Sequence, residues 1–264
     1  MAKWAAMYVV LNEEDYIDYS IRALPQSVDE VVVLRTMHPW NGPDVPLDAT
    51  SQRVRGLNDP RVTLIEGAWG SEAEHRTAAM SVIRDLGCDY AVVVDGDEVW
   101  ETDKLVEMQA AIEVSDPSLN VWRAPWWTYW KSPLWRVDPP EPSSPVVAVR
   151  MTDEVQFTDL RDPHVRAETF SPAAPVLHHF SYAKPNHQIW EKVHAFGHAS
   201  EIRSNWWEDV WMGWEQNHEL EDLNPVYPDN YKRAVYSGVR HLPERMRKHP
   251  FVVNGLNGLL PIDE

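Results

Sequence analysis

The sequence predicts an α/β fold, a mostly parallel sheet flanked by helices, with a Trp-rich α+β elaboration following it. Three observations carry this. Several short runs are apolar throughout rather than alternating, which marks strands buried on both faces. Segments with helical apolar spacing stand between them, the order that winds a parallel sheet. Many of the 14 Trp of this 264-residue chain fall between Trp122 and Trp135 or between Trp190 and Trp214. Residues 1–115 are therefore expected to form the α/β core, and 116–264 an elaboration packed on that core as one domain.

Trp4 to Leu11 reads as the first strand, and Tyr16, Ile17, Ile21 and Leu24 recur at helical spacing after it. Val31 to Leu34 is a second strand, running into a loop that Pro39, Pro43 and Pro46 keep irregular. Val62 to Ile65 is a third. Ser71, with Glu74 three residues on, gives a capping-box start to a helix carrying Ala78, Val82, Ile83 and Leu86. Tyr90 to Asp95 is a fourth strand, and a helix is expected to begin near Thr102. Beyond residue 116 short β-prone runs, Asn120 to Ala124 and Val146 to Met151, are separated by Trp126-Trp127-Thr128-Tyr129-Trp130 and by Pro139-Pro140-Glu141-Pro142. Ile189, Trp190, Val193 and Phe196 predict an amphipathic helix between Asn186 and Ile202, and the tail after it is expected to be helical with irregular connections.

Lys and Arg number 24 against 41 Asp and Glu, a formal charge of -17 that repels polyanions unless a local basic groove overrides it. One cysteine, Cys88, excludes an intrachain disulfide and reads as a small core residue. The apolar start of the chain is too short for a membrane span and has no cleavage region, so a cytoplasmic protein is expected. No nucleophile elbow, Walker loop or Gly-rich dinucleotide fingerprint is present. His194 and His198 are four apart, but Ala195 stands where a zinc protease needs glutamate.

In open α/β sheets ligands bind beyond the carboxyl ends of the strands. Three predicted strand ends deliver polar residues there: Asn12-Glu13-Glu14, Arg35 and Asp95-Gly96-Asp97-Glu98. Two carboxylates two residues apart at the end of a buried strand suit Mg²⁺ or Mn²⁺, which can bridge a diphosphate and stabilise its departure. The same acids could merely end the strand and cap the next helix. Gly96 lets the turn be tight.

Four motifs in order resemble those of family-two glycosyltransferases with the GT-A fold: Asn12-Glu13-Glu14, Val28-Asp29-Glu30-Val31-Val32-Val33, Ser71-Glu72-Ala73-Glu74-His75-Arg76, and Asp89-Tyr90-Ala91-Val92-Val93-Val94-Asp95-Gly96-Asp97-Glu98. His178-His179-Phe180-Ser181-Tyr182 is similar to the later histidine motif of bacterial and phage relatives. The resemblance implies a metal-dependent, inverting transfer of a sugar from a nucleoside diphosphate, a UDP-sugar first among donors, to an acceptor hydroxyl. Asn12 and Glu13 would lie beside base and ribose, Arg76 would reach the nucleotide, Asp95 would touch ribose or metal, and Asp97 would be the principal ligand of Mn²⁺ or Mg²⁺. His179, or His178 in its stead, would ligate from the far side. The family's acidic base reader is missing at Leu34-Arg35-Thr36, so Arg35 is either a phosphate contact or a surface salt bridge. Its glutamate before the histidine motif is also missing, at Pro163-His164-Val165. Asp162, Glu168 and Asp159 are then the candidate bases.

Trp126, Trp127 and Trp130 could form a stacking platform for an acceptor sugar, whereas Trp207, Trp211 and Trp214 read as a packing stripe. The acceptor expected is a glycan, a lipid-linked sugar or a small molecule. The runner-up is hydroxymethylated pyrimidine in DNA, with Arg150, Arg161, Arg166 and Arg245-Met246-Arg247-Lys248 as its basic rim. Rivals of another class are a nucleotidyltransferase, which would carry a Gly-rich basic loop after the first strand, and a carbohydrate-binding module, which would not need the strand-end acids.

Overall fold

The computed structural model describes residues 2–158, 160–172, 174–195 and 199–258. Its core begins with β1 (Trp4–Val10), α1 (Ile17–Ala23), β2 (Glu30–Thr36), α2 (Thr50–Arg55), β3 (Val62–Gly67), α3 (Glu72–Asp85), β4 (Tyr90–Val94), β5 (Glu98–Trp100) and α4 (Thr102–Glu113). β6 (Val121–Arg123), β7 (Trp126–Trp130), β8 (Trp135–Asp138), β9 (Val146–Arg150), β10 (Ala167–Thr169) and β11 (Leu177–Tyr182) follow. α5 (Asn186–Ala195), β12 (Arg233–Tyr236) and α6 (Pro250–Val253) complete the regular elements, with short 3-10 and π turns between them.

The central sheet has the order β10-β6-β9-β4-β1-β2-β3. β4, β1, β2 and β3 run parallel, and β9 is antiparallel to both β4 and β6. Every residue of β1 is buried, because the strand is covered on both faces. Ala6, Tyr8 and Val10 pack with Ile17 and Ile21 of α1 and with Leu105, Met108 and Ile112 of α4. Ala5, Met7 and Val9 pack on the other side with Ala79, Met80 and Ile83 of α3. The period of two along the strand thus sends alternate residues into two different cores.

The α3 start is a variant of the capping box. Ser71 accepts the Glu74 N–H at 3.2 Å, but Glu74 reaches back to the N–H of Gly70, at 2.8 Å, one residue before the cap.

A second sheet, β12-β8-β7-β11-β5, stands on the edge where β4 ends. Behind it Trp130, Trp206, Trp211, Trp214, Tyr182 and Tyr231 form an aromatic core. The tail departs from the helical expectation. α5 ends at Ala195, the Trp206–Met212 segment is a π turn, and the remaining helical pieces are short. Twenty-one prolines in the chain explain part of this, and the Trp side chains the rest, since rings of this size pack edge to face from several directions rather than along one stripe. Among the described residues no helix is long and apolar enough to cross a membrane.

Candidate active site

β1 has β2 on one side and β4 on the other, so the chain reverses its winding direction between β1 and β4. A crevice opens at the carboxyl ends of strands at such a point. Residues 12–14 and 95–98 lie on its two sides. Gly96 is needed for room rather than for a left-handed backbone: a Cβ there would stand 2.6 Å from Glu13 Cγ and 2.7 Å from Glu13 Cβ.

Asp97 is the centre of the arrangement. Its Oδ2 takes Lys184 Nζ and Lys192 Nζ, each at 3.2 Å, and its Oδ1 faces His179 Nε2 at 3.6 Å. Burial would raise its carboxyl, but Lys192, Lys184 and His179 together hold it well below the usual range. The pairing of β5 with β11 sets this geometry: His179 is the register partner of Glu98, and the Phe180 N–H donates to Asp97 O at 2.8 Å. Alternation then turns His178 the other way, where Tyr129 Oη lies 2.9 Å and Glu101 Oε1 3.2 Å from its ring nitrogens. Trp126 stacks on His179 at 4.3 Å between ring centroids. Burial lowers the imidazole to about 4, so it is neutral at pH 7, and its Nδ1 has no hydrogen-bond partner.

Asp95 is held by Arg76 at 2.9 Å and by Arg161 at 3.1 Å. Arg161 also forks onto both oxygens of buried Glu98, one of them at 3.0 Å, and donates to the Val93 and Val146 carbonyls, each at 2.8 Å. Burial pushes Glu98 up to about 7 against that pull. Arg76 is buried on α3 and also pairs with Glu72 at 2.6 Å, while its Nη1 has no partner. Glu13 binds Lys184 at 2.6 Å, and burial with the charge of Asp97 pushes it up to about 7.

Other predicted residues lie apart from this cluster. Arg35 is buried, not on the surface, and its guanidinium is spent inside the protein on Leu11 O, Ser51 Oγ, Asn12 Oδ1 and two oxygens of Asp48, the backbone carbonyl and Oδ1. Its hydrogen bonds tie the loop after β2 and the start of α2 to the end of β1, so it is a brace between them with its guanidinium already occupied. Asn12 serves the same loop, donating to Pro46 O at 2.8 Å. Asp162 is paired with Arg123 at 2.5 Å, and Glu168 is an exposed residue of edge strand β10. Asp159, Phe196 and His198 lie outside the described residues. Trp130 is wholly buried and cannot be a platform, and Trp127 lies under Arg136 at 4.0 Å. Of the expected basic rim, Arg161 is turned into the acids and Arg150 packs on Tyr90 and Trp122.

Sequence reasoning missed Lys184 and Lys192, and took Arg161 for a surface residue. The signal for Lys184 was its place two residues beyond the histidine motif, and for Lys192 the polar face of an amphipathic helix that packs on the strand ends.

Could this cluster hold a divalent cation? Among the described residues no group of three or more His, Cys, Asp or Glu side chains is placed to ligate one metal. Asp97 Oδ1 with the neutral His179 imidazole offers two donors of the kinds Mn²⁺ accepts, and Mg²⁺ and Mn²⁺ sites commonly fill their other positions from water and a substrate's phosphates. Formal charge points the same way. Asp95, Asp97, Glu98, Glu13 and Glu72 outnumber Arg76, Arg161, Lys184 and Lys192. The crevice therefore has no surplus positive charge of its own with which to hold a diphosphate.

Fold and site together define a mixed α/β protein with a mostly parallel sheet and a charged crevice at its topological switch point. No protein-family model matches the chain, and no curated protein matches it. Solved structures do. Glucosyl-3-phosphoglycerate synthase from Mycobacterium tuberculosis, in complex with Mn²⁺, UDP and phosphoglyceric acid, has a TM-score of 0.48 at 12% identity over 72% of this chain and 74% of that one. S. aureus TarS 1-349 has a TM-score of 0.46 at 15% identity, over 68% and 60%. A second structure of the synthase, with Mn²⁺ and UDP-glucose, has a TM-score of 0.37 at 14% identity, and there the chain spans only 44% of the other's length. At identities and scores this low, the class rests on the strand order and the site geometry alone.

Proposed function

We propose that the protein is a glycosyltransferase that moves a sugar from a nucleoside diphosphate to an acceptor hydroxyl with the help of Mn²⁺ or Mg²⁺. One observation carries the reading: Asp97, just beyond the end of the buried parallel strand β4, faces His179 across 3.6 Å while two lysines and two arginines crowd the same crevice. That is a set of groups for a polyanion and a cation together, at the place where α/β sheets bind nucleotides. When bound, the cation supplies charge neutralisation to the departing diphosphate.

The chain's own residues do the rest. Lys184 and Lys192 present ammonium groups to phosphate oxygens, and Arg76 has an unpaired Nη1 for the same use. Arg161 fixes Asp95 and Glu98 so that the strand end does not move. Trp126, stacked on His179, gives the second sheet an apolar ring beside the reacting centre. UDP-sugars are the first donors to test, and the acceptor class stays that of hydroxyl-bearing glycans, lipid-linked sugars or small molecules.

Thermal unfolding with UDP, GDP and dTDP, each with and without Mn²⁺, tests the reading. One nucleoside diphosphate with Mn²⁺ is expected to raise the midpoint of the parent by several degrees and to leave Asp97→Ala unmoved. Equal stabilisation of both proteins would refute the role of Asp97.

A further inference from the structure

Transfer with inversion at the anomeric carbon calls for a carboxylate that can accept the hydroxyl's proton, and the acids at the strand ends are poorly suited. Asp95 is held by two arginines, Asp97 by two lysines, Glu98 by Arg161, Glu13 by Lys184 and Glu72 by Arg76. Asp162, outside the crevice, is held by Arg123, which with the His164 N–H keeps its carboxyl low despite partial burial. A cation at hydrogen-bond distance occupies the lone pairs and weakens the base.

Glu141 differs. It lies on the connection between β8 and β9, where Pro139, Pro140 and Pro142 stiffen the backbone on both sides. Its carboxylate is half-buried and held by neutral donors, the Thr128 hydroxyl and the Tyr231 phenol, and no lysine or arginine among the described residues pairs with it. Burial pushes it up to about 7, where a general base is most effective.

Its position relates it to the crevice. Thr128 is the register partner of His179 in the parallel pair β7 and β11, so Thr128 and His179 stand between Glu141 and Asp97 on one face of the second sheet. The Tyr182 phenol feels the charges of both Glu141 and Asp97. Glu141 thus approaches the crevice from the second sheet, opposite the acids of β4.

We propose that Glu141 is the general base of the transfer, an inference that rests on the glycosyltransferase reading. The acceptor oxygen bonds to the anomeric carbon as the bond from that carbon to the diphosphate oxygen breaks, its electron pair leaving on the diphosphate. The hydroxyl proton moves to the Glu141 carboxylate and passes to solvent through its exposed side once the products depart.

The test uses the full chain with Mn²⁺ and a panel of UDP-, GDP- and dTDP-hexoses, water serving as acceptor and release of the nucleoside diphosphate as readout. Glu141→Gln keeps the size and can still accept from Thr128, so its own unfolding temperature and its stabilisation by the nucleoside diphosphate should match the parent. Its rate of release should fall at least about 100-fold, the lower end of what a general base contributes. Glu141→Asp should recover part of that loss, with the acid limb of its pH profile displaced. Release by Glu141→Gln within about threefold of the parent overturns the proposal. So does a parent that is stabilised by a nucleotide yet releases none from any donor, because a base poised there would activate water in the acceptor's place. A parent that no nucleoside diphosphate stabilises overturns the glycosyltransferase reading itself, and Glu141 with it.

Discussion

Replacing Arg161 by methionine isolates what holds the acids at the end of β4. The guanidinium neutralises Glu98, whose side chain is fully buried, and shares Asp95 with Arg76, while two further N–H groups satisfy the Val93 and Val146 carbonyls. Methionine fills most of the volume but leaves a buried carboxylate without its cation. Breaking a buried pair in this way costs about 3–5 kcal/mol, against about 5–15 kcal/mol of total stability for an ordinary domain. Urea unfolding at pH 9, where Glu98, pushed up to about 7, is charged in the parent, measures it, with an unchanged slope showing that the native fold is retained. Glu98→Gln in the Arg161→Met background removes the stranded charge and should return at least about 2 kcal/mol of the loss, a coupling that a double-mutant cycle reads directly. A single-variant loss under about 1 kcal/mol, or a double variant no better than the single, would refute the claim that Arg161 compensates Glu98.

Two further outcomes follow from the same geometry. Gly96→Ala sets a methyl 2.6 Å from Glu13 Cγ, so Glu13 must shift and draw Lys184 from Asp97; affinity for the stabilising nucleoside diphosphate with Mn²⁺ should drop about tenfold, about 1.4 kcal/mol, and calorimetry giving parental affinity would show the contact to be unimportant. His249 accepts the Phe251 N–H at Nδ1 and donates from Nε2 to Asp15 O, and burial lowers it to about 4 from an ordinary value of 6.5. Between those values the unfolded chain binds the proton and the folded one does not, so the stabilisation is complete above about pH 6.5 and is lost as pH falls toward 4. His249→Asn keeps a capping oxygen, and its unfolding free energy should fall less steeply over that range than the parent's.

The parallel strands were legible because β1 and β4 are apolar throughout and β2 carries the unbroken apolar run Val31 to Leu34, a pattern that only a strand covered on both faces requires. Asp97 was legible for the complementary reason, an acid where such a run stops. The cations were not. Lys184 is buried, and apart from its place two residues beyond the histidine motif nothing in Ala183-Lys184-Pro185 distinguishes it from a solvated lysine; its position is set by contacts with Glu13 and Asp97, far away in the sequence. Arg35 misled for the opposite reason. A basic residue at a strand end is expected to face the ligand, but the loop after β2 folds back and, together with Leu11 and Asn12, supplies five acceptors for it. Glu141 sat in a proline cluster that reads as a surface connection, and only the pairing of β7 with β11 relates it to His179.

The charge pattern also bears on how the two portions of the chain depend on each other. Within residues 1–115 the crevice would hold Glu13, Glu72, Asp95, Asp97 and Glu98 with Arg76 as the one cation paired to them among the described residues. Arg161, Lys184, Lys192 and His179 all come from beyond residue 160, and β9, also outside the first portion, pairs with β4. Without them β4 would be an open edge, and the carboxylates at its end would stand close together with their cations and their cover removed. The later portion is therefore part of the site rather than an addition to a finished nucleotide-binding half. Isolated residues 1–115 should consequently fail to unfold cooperatively at pH 7, as followed by near-ultraviolet circular dichroism. A sharp, reversible transition in that fragment would show that the acids are tolerated without their partners, and would remove the electrostatic reason for the joint fold.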